Sequence, residues 1–125
     1  MKVLAALLLW LAAASAAALP PVQTRELALD GHRVTLDVHA PAGVPRGAAI
    51  LSHGFTRSRS TLAGHAQALA AAGVLALTPD LPCTFDFRCN GRALAALVAQ
   101  LRAGGVFGPP VERVMLVGFS AGGLS

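Results

Sequence analysis

Apolar and polar positions change period several times along the chain, and each change marks an element. From Val22 to Asp30 and from His32 to His39 the pattern is extended. In the second run Val34, Leu36 and Val38 share one face, and Arg33, Thr35 and Asp37 share the other. Asp30-Gly31 between the runs predicts a tight hairpin, because such a turn needs positive φ. Pro41, Gly43, Pro45 and Gly47 then mark a connecting loop.

Beyond this loop, short apolar runs alternate with helical stretches. Ala48 to Ser52 reads as a buried strand ending at His53-Gly54. Ser60 is positioned to cap a helix to about Ala72, stopped by Gly73, with Leu62, Ala66 and Leu69 facing inward. Val74 to Leu77 forms the next strand, leading into Thr78-Pro79-Asp80 and a loop that carries both cysteines. Asn90 is positioned to cap a second helix through Arg102, with Leu94, Leu97, Val98 and Leu101 at helical spacing and Gly104-Gly105 at its end. Val114 to Val117 reads as a third buried strand, ended by Gly118. This order predicts one α/β domain over residues 19–125, a mostly parallel sheet with right-handed crossovers after an N-terminal antiparallel hairpin.

The segment before the hairpin has a different character. Met1-Lys2 is a minimal positive start, Val3 to Leu11 are unbroken apolar residues, and an alanine-rich stretch with Ser15 follows. Residues 1–18 read as a secretory signal peptide, with cleavage between Ala16 and Leu19. The alternative, a membrane anchor, needs a longer apolar run to span about 30 Å of hydrocarbon. A secreted or periplasmic destination is therefore expected, with no stable membrane anchor after cleavage. In such a compartment Cys83 and Cys89 are able to pair, and two unpaired thiols are the alternative. Closing so short a ring contributes about 2 kcal/mol in the chain-entropy model, enough to pin a loop but not to hold a fold. Their spacing does not suggest a metal site, and no cofactor is expected.

Composition narrows the partners. With 54% apolar and 13% charged residues the chain is too hydrophobic for disorder. Its formal charge of +4 comes from arginines dispersed along the sequence, and it contains no tyrosine. Without a basic cluster interleaved with aromatic rings, nucleic-acid binding is not expected.

The chemistry concentrates in Gly118-Phe119-Ser120-Ala121-Gly122, a G-x-S-x-G pattern. It follows directly on an apolar strand and leads into a helix start, the strand–turn–helix setting of a nucleophile elbow. Small flanking residues allow the tight turn, and the helix start directs its positive end at a developing oxyanion. A second motif, Ser52-His53-Gly54-Phe55, ends an earlier strand. In this order, the two motifs resemble the α/β-hydrolase family, from about Val22 to Ser125. The resemblance implies an α/β-hydrolase-like fold, with Ser120 as nucleophile and the backbone N–H groups of Phe55 and Ala121 as the oxyanion hole. His53, Gly54, Gly118 and Gly122 support these turns.

In that family the acid and histidine of the triad follow the serine. Only five residues follow Ser120 here, and none is acidic or histidine. The acid and base are accordingly expected beyond Ser125, in the absent C-terminal part of the domain, and this chain alone is expected to be nearly inactive. His53 belongs to the oxyanion loop, solvated or capping roles are expected for His32, His39 and His65, and Asp80 is read as structural. Arg57 and Arg59 are read as solvated rather than substrate-binding, and Phe85, Phe87 and Phe107 as packing their own loops rather than lining a substrate mouth. The leading expectation is a serine hydrolase cleaving a small-molecule carboxylic ester through an acyl-enzyme. A serine peptidase or acyltransferase would use the same apparatus, and a non-catalytic binding protein could keep the same scaffold.

Overall fold

The computed structural model describes residues 18–54 and 57–119, so all but the last residue of the expected signal peptide lies outside the described residues. Strands β1 (Gln23–Leu29) and β2 (His32–His39) form an antiparallel hairpin, in register from Gln23 opposite Val38 to Leu29 opposite His32. Asp30 and Gly31 both take left-handed backbone, φ 50° and 78°, as a two-residue turn matched to strand twist requires. After the loop come β3 (Ala48–Ser52), a 3₁₀ turn (Arg59–Leu62), α1 (Ala63–Ala71), β4 (Leu75–Pro79), α2 (Phe87–Ala103) and β5 (Val114–Gly118).

The strand order is β1-β2-β4-β3-β5, with β2 antiparallel to β4 and the last three strands parallel. Alternate residues of each central strand enter different cores. Ala48, Ile50, Leu75 and Leu77 join Leu36 and Val38 beneath Ala93, Leu94, Leu97 and Leu101 of α2. Ala49, Leu51 and Ala76 face the other way, against Leu62 and Ala66. Covering on both faces explains why β3 and β4 are buried along their whole length and mostly apolar rather than alternating.

Several boundaries differ from the sequence reading, each for a local reason. Ser60 caps nothing; it lies inside the 3₁₀ turn, which follows Ser58. Asn90 is not a cap either, since α2 begins three residues earlier and Asp86 holds the cap position. The Asp86 carboxylate accepts from the Cys89 N–H at 2.9 Å, placing a negative charge where the helix dipole favours it. Strand β4 continues through Thr78 and Pro79 because both pair with β2, Pro79 standing opposite Leu36. Strand β5 is less buried than expected: Met115 and Leu116 are 49% and 57% exposed. Among the described strands it pairs with β3 alone, at the edge of the sheet. Gly104 ends α2 at φ 75°, where a Cβ would meet Pro110 Cδ at 2.7 Å. No described helix is long and apolar enough to cross a membrane.

His39 was expected to be solvated or capping, yet it is buried, and neither ring nitrogen has a hydrogen-bond partner among the described residues. Burial lowers its pKa below the ordinary 6.5, a shift that the nearby Asp37 carboxylate opposes only in part. The folded protein therefore binds fewer protons here than the unfolded chain once the pH falls below that ordinary value. Stability contributed by neutral His39 is complete above pH 6.5 and falls as the pH drops through the folded value. Urea denaturation between pH 7.5 and pH 5 should show this loss, and His39→Leu should flatten the profile.

Candidate active site

The described first residues of the two sequence motifs, Ser52 to Gly54 and Gly118-Phe119, lie at the carboxyl ends of neighbouring parallel strands. In the β3–β5 register Ser52 stands opposite Gly118, and the Phe119 N–H donates to the Ser52 carbonyl at 3.1 Å. The backbone therefore enters both motifs from neighbouring, hydrogen-bonded positions. Phe119 is half-buried against the Leu51 and Ala66 cluster, and its ring lies 5.3 Å from that of His65. Of the expected site residues, His53, Gly54 and Gly118 are placed in this way. Ser120, Ala121, Gly122 and Phe55 lie outside the described residues.

His53 ties two loops together. The Leu81 N–H donates to its Nε2 at 2.9 Å, so that nitrogen carries no hydrogen. Its Nδ1 then bears the proton and donates to the Gly54 carbonyl at 2.8 Å. With both ring nitrogens engaged in backbone contacts, His53 shapes the loop after β3 and is not free to act as a general base. The Gly54 carbonyl also accepts from the Arg57 N–H at 3.1 Å.

Arg59 anchors the other end of this loop. Its backbone N–H donates to Asp80 Oδ1 at 2.6 Å, and its guanidinium donates to Asp80 Oδ2 at 2.6 Å and Asp37 Oδ1 at 3.2 Å. The hydrogen bond to Asp80, aided by both carboxylate charges, raises the Arg59 pKa above its already high ordinary value. Arg59 is thus committed within the protein rather than solvated, whereas Arg57 is exposed. Asp80 has the structural role expected of it, now with named partners. Its own N–H donates to the Thr35 carbonyl at 2.8 Å, linking the loop to β2 as well. Spacing gives no sign of this network, because its members come from three separate segments.

Between the ends of β3 and β4 lies a cleft of about 210 Å³, lined by His53, Gly54, Asp80, Leu81, Cys83 and Phe87 among others. Crevices beyond the carboxyl ends of parallel strands are where open α/β sheets bind ligands. The far wall is the loop before α2, which a disulfide from Cys83 to Cys89 ties to the first turn of that helix. Asn90, expected as a cap, instead points its carboxamide at this loop. It accepts from the Cys83 N–H at 2.9 Å and donates to the Cys83 carbonyl at 2.7 Å. Phe87 reaches the cleft, Phe85 is exposed, and Phe107 packs against the α2 core.

The fold recurs among solved structures. The chain superposes on a dienelactone hydrolase from Anabaena variabilis with a TM-score of 0.70 and 20% identity, covering 83% of this chain and 54% of that one. An epoxide hydrolase from Vigna radiata gives a TM-score of 0.64 and 19% identity, covering 81% of this chain and 31% of that one. An epoxide hydrolase from an endophytic Streptomyces gives 0.63 and 23%, covering 81% of this chain and 30% of that one. The chain has the α/β-hydrolase fold and spans between about a third and about half the length of these neighbours. No family model and no curated protein matches its sequence.

Removing the Asp80 carboxylate leaves the Arg59 amide and part of its charge without a partner. Asp80→Ala should lower stability by about 1–3 kcal/mol in urea denaturation and speed hydrogen exchange at the Arg59 amide. A loss below about 0.5 kcal/mol, within the range of ordinary surface changes, would show that the anchor does not hold the loop.

Proposed function

We propose that this chain is the N-terminal part of a serine hydrolase that cleaves small carboxylic esters through an acyl-enzyme. The observation that carries the reading is the adjacency of the two motifs. The His53-Gly54 loop and the Gly118-Phe119 approach to the elbow leave the sheet from paired strands. The α/β-hydrolase fold supports hydrolase chemistry, and hydrolases stand among its structural neighbours. A serine at the elbow position supports acyl transfer, since its hydroxyl can form an ester with the substrate's acyl group.

In this mechanism Ser120 Oγ attacks the substrate carbonyl while a histidine beyond Ser125 takes its proton, held in orientation by an acid from the same region. The carbonyl oxygen becomes an oxyanion, stabilised by the backbone N–H groups of Phe55 and Ala121. His53 and Asp80, with Arg59, hold the loop that presents the first of these donors. Collapse of the tetrahedral intermediate expels the alcohol, which receives the proton from the histidine. Water then repeats the attack and frees the acid. No step calls for a metal or cofactor. Export through the signal peptide of residues 1–18 belongs to the same proposal, as does the absence of a nucleic-acid partner.

Treating the full-length protein with a fluorophosphonate probe should add one phosphonyl group at Ser120. Ser120→Ala should abolish labelling and lower the turnover of a short-chain p-nitrophenyl ester by about ten-thousand-fold or more. Labelling at another residue, or turnover unchanged by the substitution, would refute the assignment. A folded full-length protein that neither labels nor turns over would favour the non-catalytic scaffold.

A further inference from the structure

We propose that His32, Cys83 and Cys89 form a Zn(II) site when the disulfide between the two cysteines is reduced. One donor atom from each residue lies within 4.8 Å of the others. His32 Nε2 is 3.4 Å from Cys89 Sγ. Tetrahedral zinc, with Zn–S near 2.3 Å and Zn–N near 2.0–2.1 Å, separates a nitrogen and a sulfur ligand by roughly 3.5 Å. The nitrogen–sulfur edge of a zinc site is therefore already in place, and only the Cys83 sulfur must swing aside once freed.

The cluster has supports other than the sulfur–sulfur bond. The buried Asn90 carboxamide grips the Cys83 backbone through both its N–H and its carbonyl. The Asp86 carboxylate holds the Cys89 amide at the start of α2. His32 is fixed by the β1–β2 hairpin, where it pairs with Leu29. Three separate segments thus keep the donors together after reduction, so the ligands are preorganised for capture of an ion.

The donor set selects the ion. Two thiolates and an imidazole contain no oxygen, which disfavours calcium and magnesium, and they suit a borderline-soft cation. Two thiolate charges balance Zn(II), so the complex is neutral where Cys89 is buried. Three protein ligands leave a fourth position for water. Because Cys83 also lines the cleft, the ion would sit in the wall of the candidate active site.

The chemistry needs a dithiol as reductant. One of its thiolates attacks a sulfur of the Cys83–Cys89 bond, which breaks. Its second thiol then displaces the mixed disulfide, giving two protein thiols and one cyclic disulfide in a two-electron exchange. Zn(II) replaces the two S–H protons, which pass to water.

The test uses the full chain, reduced with a dithiol that is then removed without oxygen, and titrated with Co(II) and Zn(II). We expect one Co(II) per chain with a near-ultraviolet thiolate-to-cobalt charge-transfer band, displaced by Zn(II) and absent from the oxidised protein. His32→Ala should weaken Zn(II) binding about a hundredfold or more, since even residues behind the ligands change affinity by about 10–100-fold. His32→Cys should restore binding with a stronger charge-transfer band. Absence of the band, equal binding by the His32→Ala variant, equal binding by the oxidised protein, or loss of far-ultraviolet circular dichroism on reduction would each overturn the proposal. None of these readouts depends on ester hydrolysis.

Discussion

Five residue pairs, from Ala48 opposite Val114 to Ser52 opposite Gly118, align β3 with β5 and bring their carboxyl ends level. Everything proposed for the site depends on this register. In a parallel pair a slip of one residue would turn side chains to the opposite faces, exchanging the Ala49–Leu51 core for the Ala48–Ile50 core. The two cores therefore lock the register from both sides of the sheet. The Phe119 N–H bond to the Ser52 carbonyl extends the lock one residue beyond the last strand residue, next to the proposed elbow.

Polar contacts fix the loops beyond the strands, alongside the packing of Leu81 on the core and the Cys83–Cys89 disulfide. His53 joins the β3 loop to Leu81, Arg59 joins it to Asp80 and Asp37, and Asn90 joins the β4 loop to α2. Each contact uses a side chain of one segment to satisfy backbone or charge on another. Such a division of labour is physically reasonable for a cleft. Apolar packing would fill the space that a substrate needs, whereas directed hydrogen bonds fix its rim and leave the interior open.

Much of this was legible in the sequence, and the limits have physical causes. The Asp30-Gly31 turn and β2 were readable because alternation and turn chemistry are local signals. So were Leu94, Leu97 and Leu101, which mark the buried stripe of α2 by their spacing. The start of that helix was not readable, because both Asp86 and Asn90 are good caps and only the fold decides which of them faces a free amide. His39 looked like a solvated strand end, but the neighbouring strand and its surroundings bury it. Arg59 looked like one of many surface arginines, and its two carboxylate partners come from other elements. The same limit applies to the cysteine pair. A six-residue spacing gives no hint of metal binding, since the third donor, His32, stands 57 positions before Cys89 and meets it only through the fold.

Hydrogen exchange at the Phe119 amide, resolved by NMR, is the most direct measure of whether the two motifs are held together. If the Phe119 N–H is bonded to the Ser52 carbonyl, its protection should approach that of the central β3 amides. Exchange at the rate of an unprotected loop amide, with β3 itself still protected, would mean that the approach to the elbow is not fixed beside the His53-Gly54 loop, and the account of the site would fail.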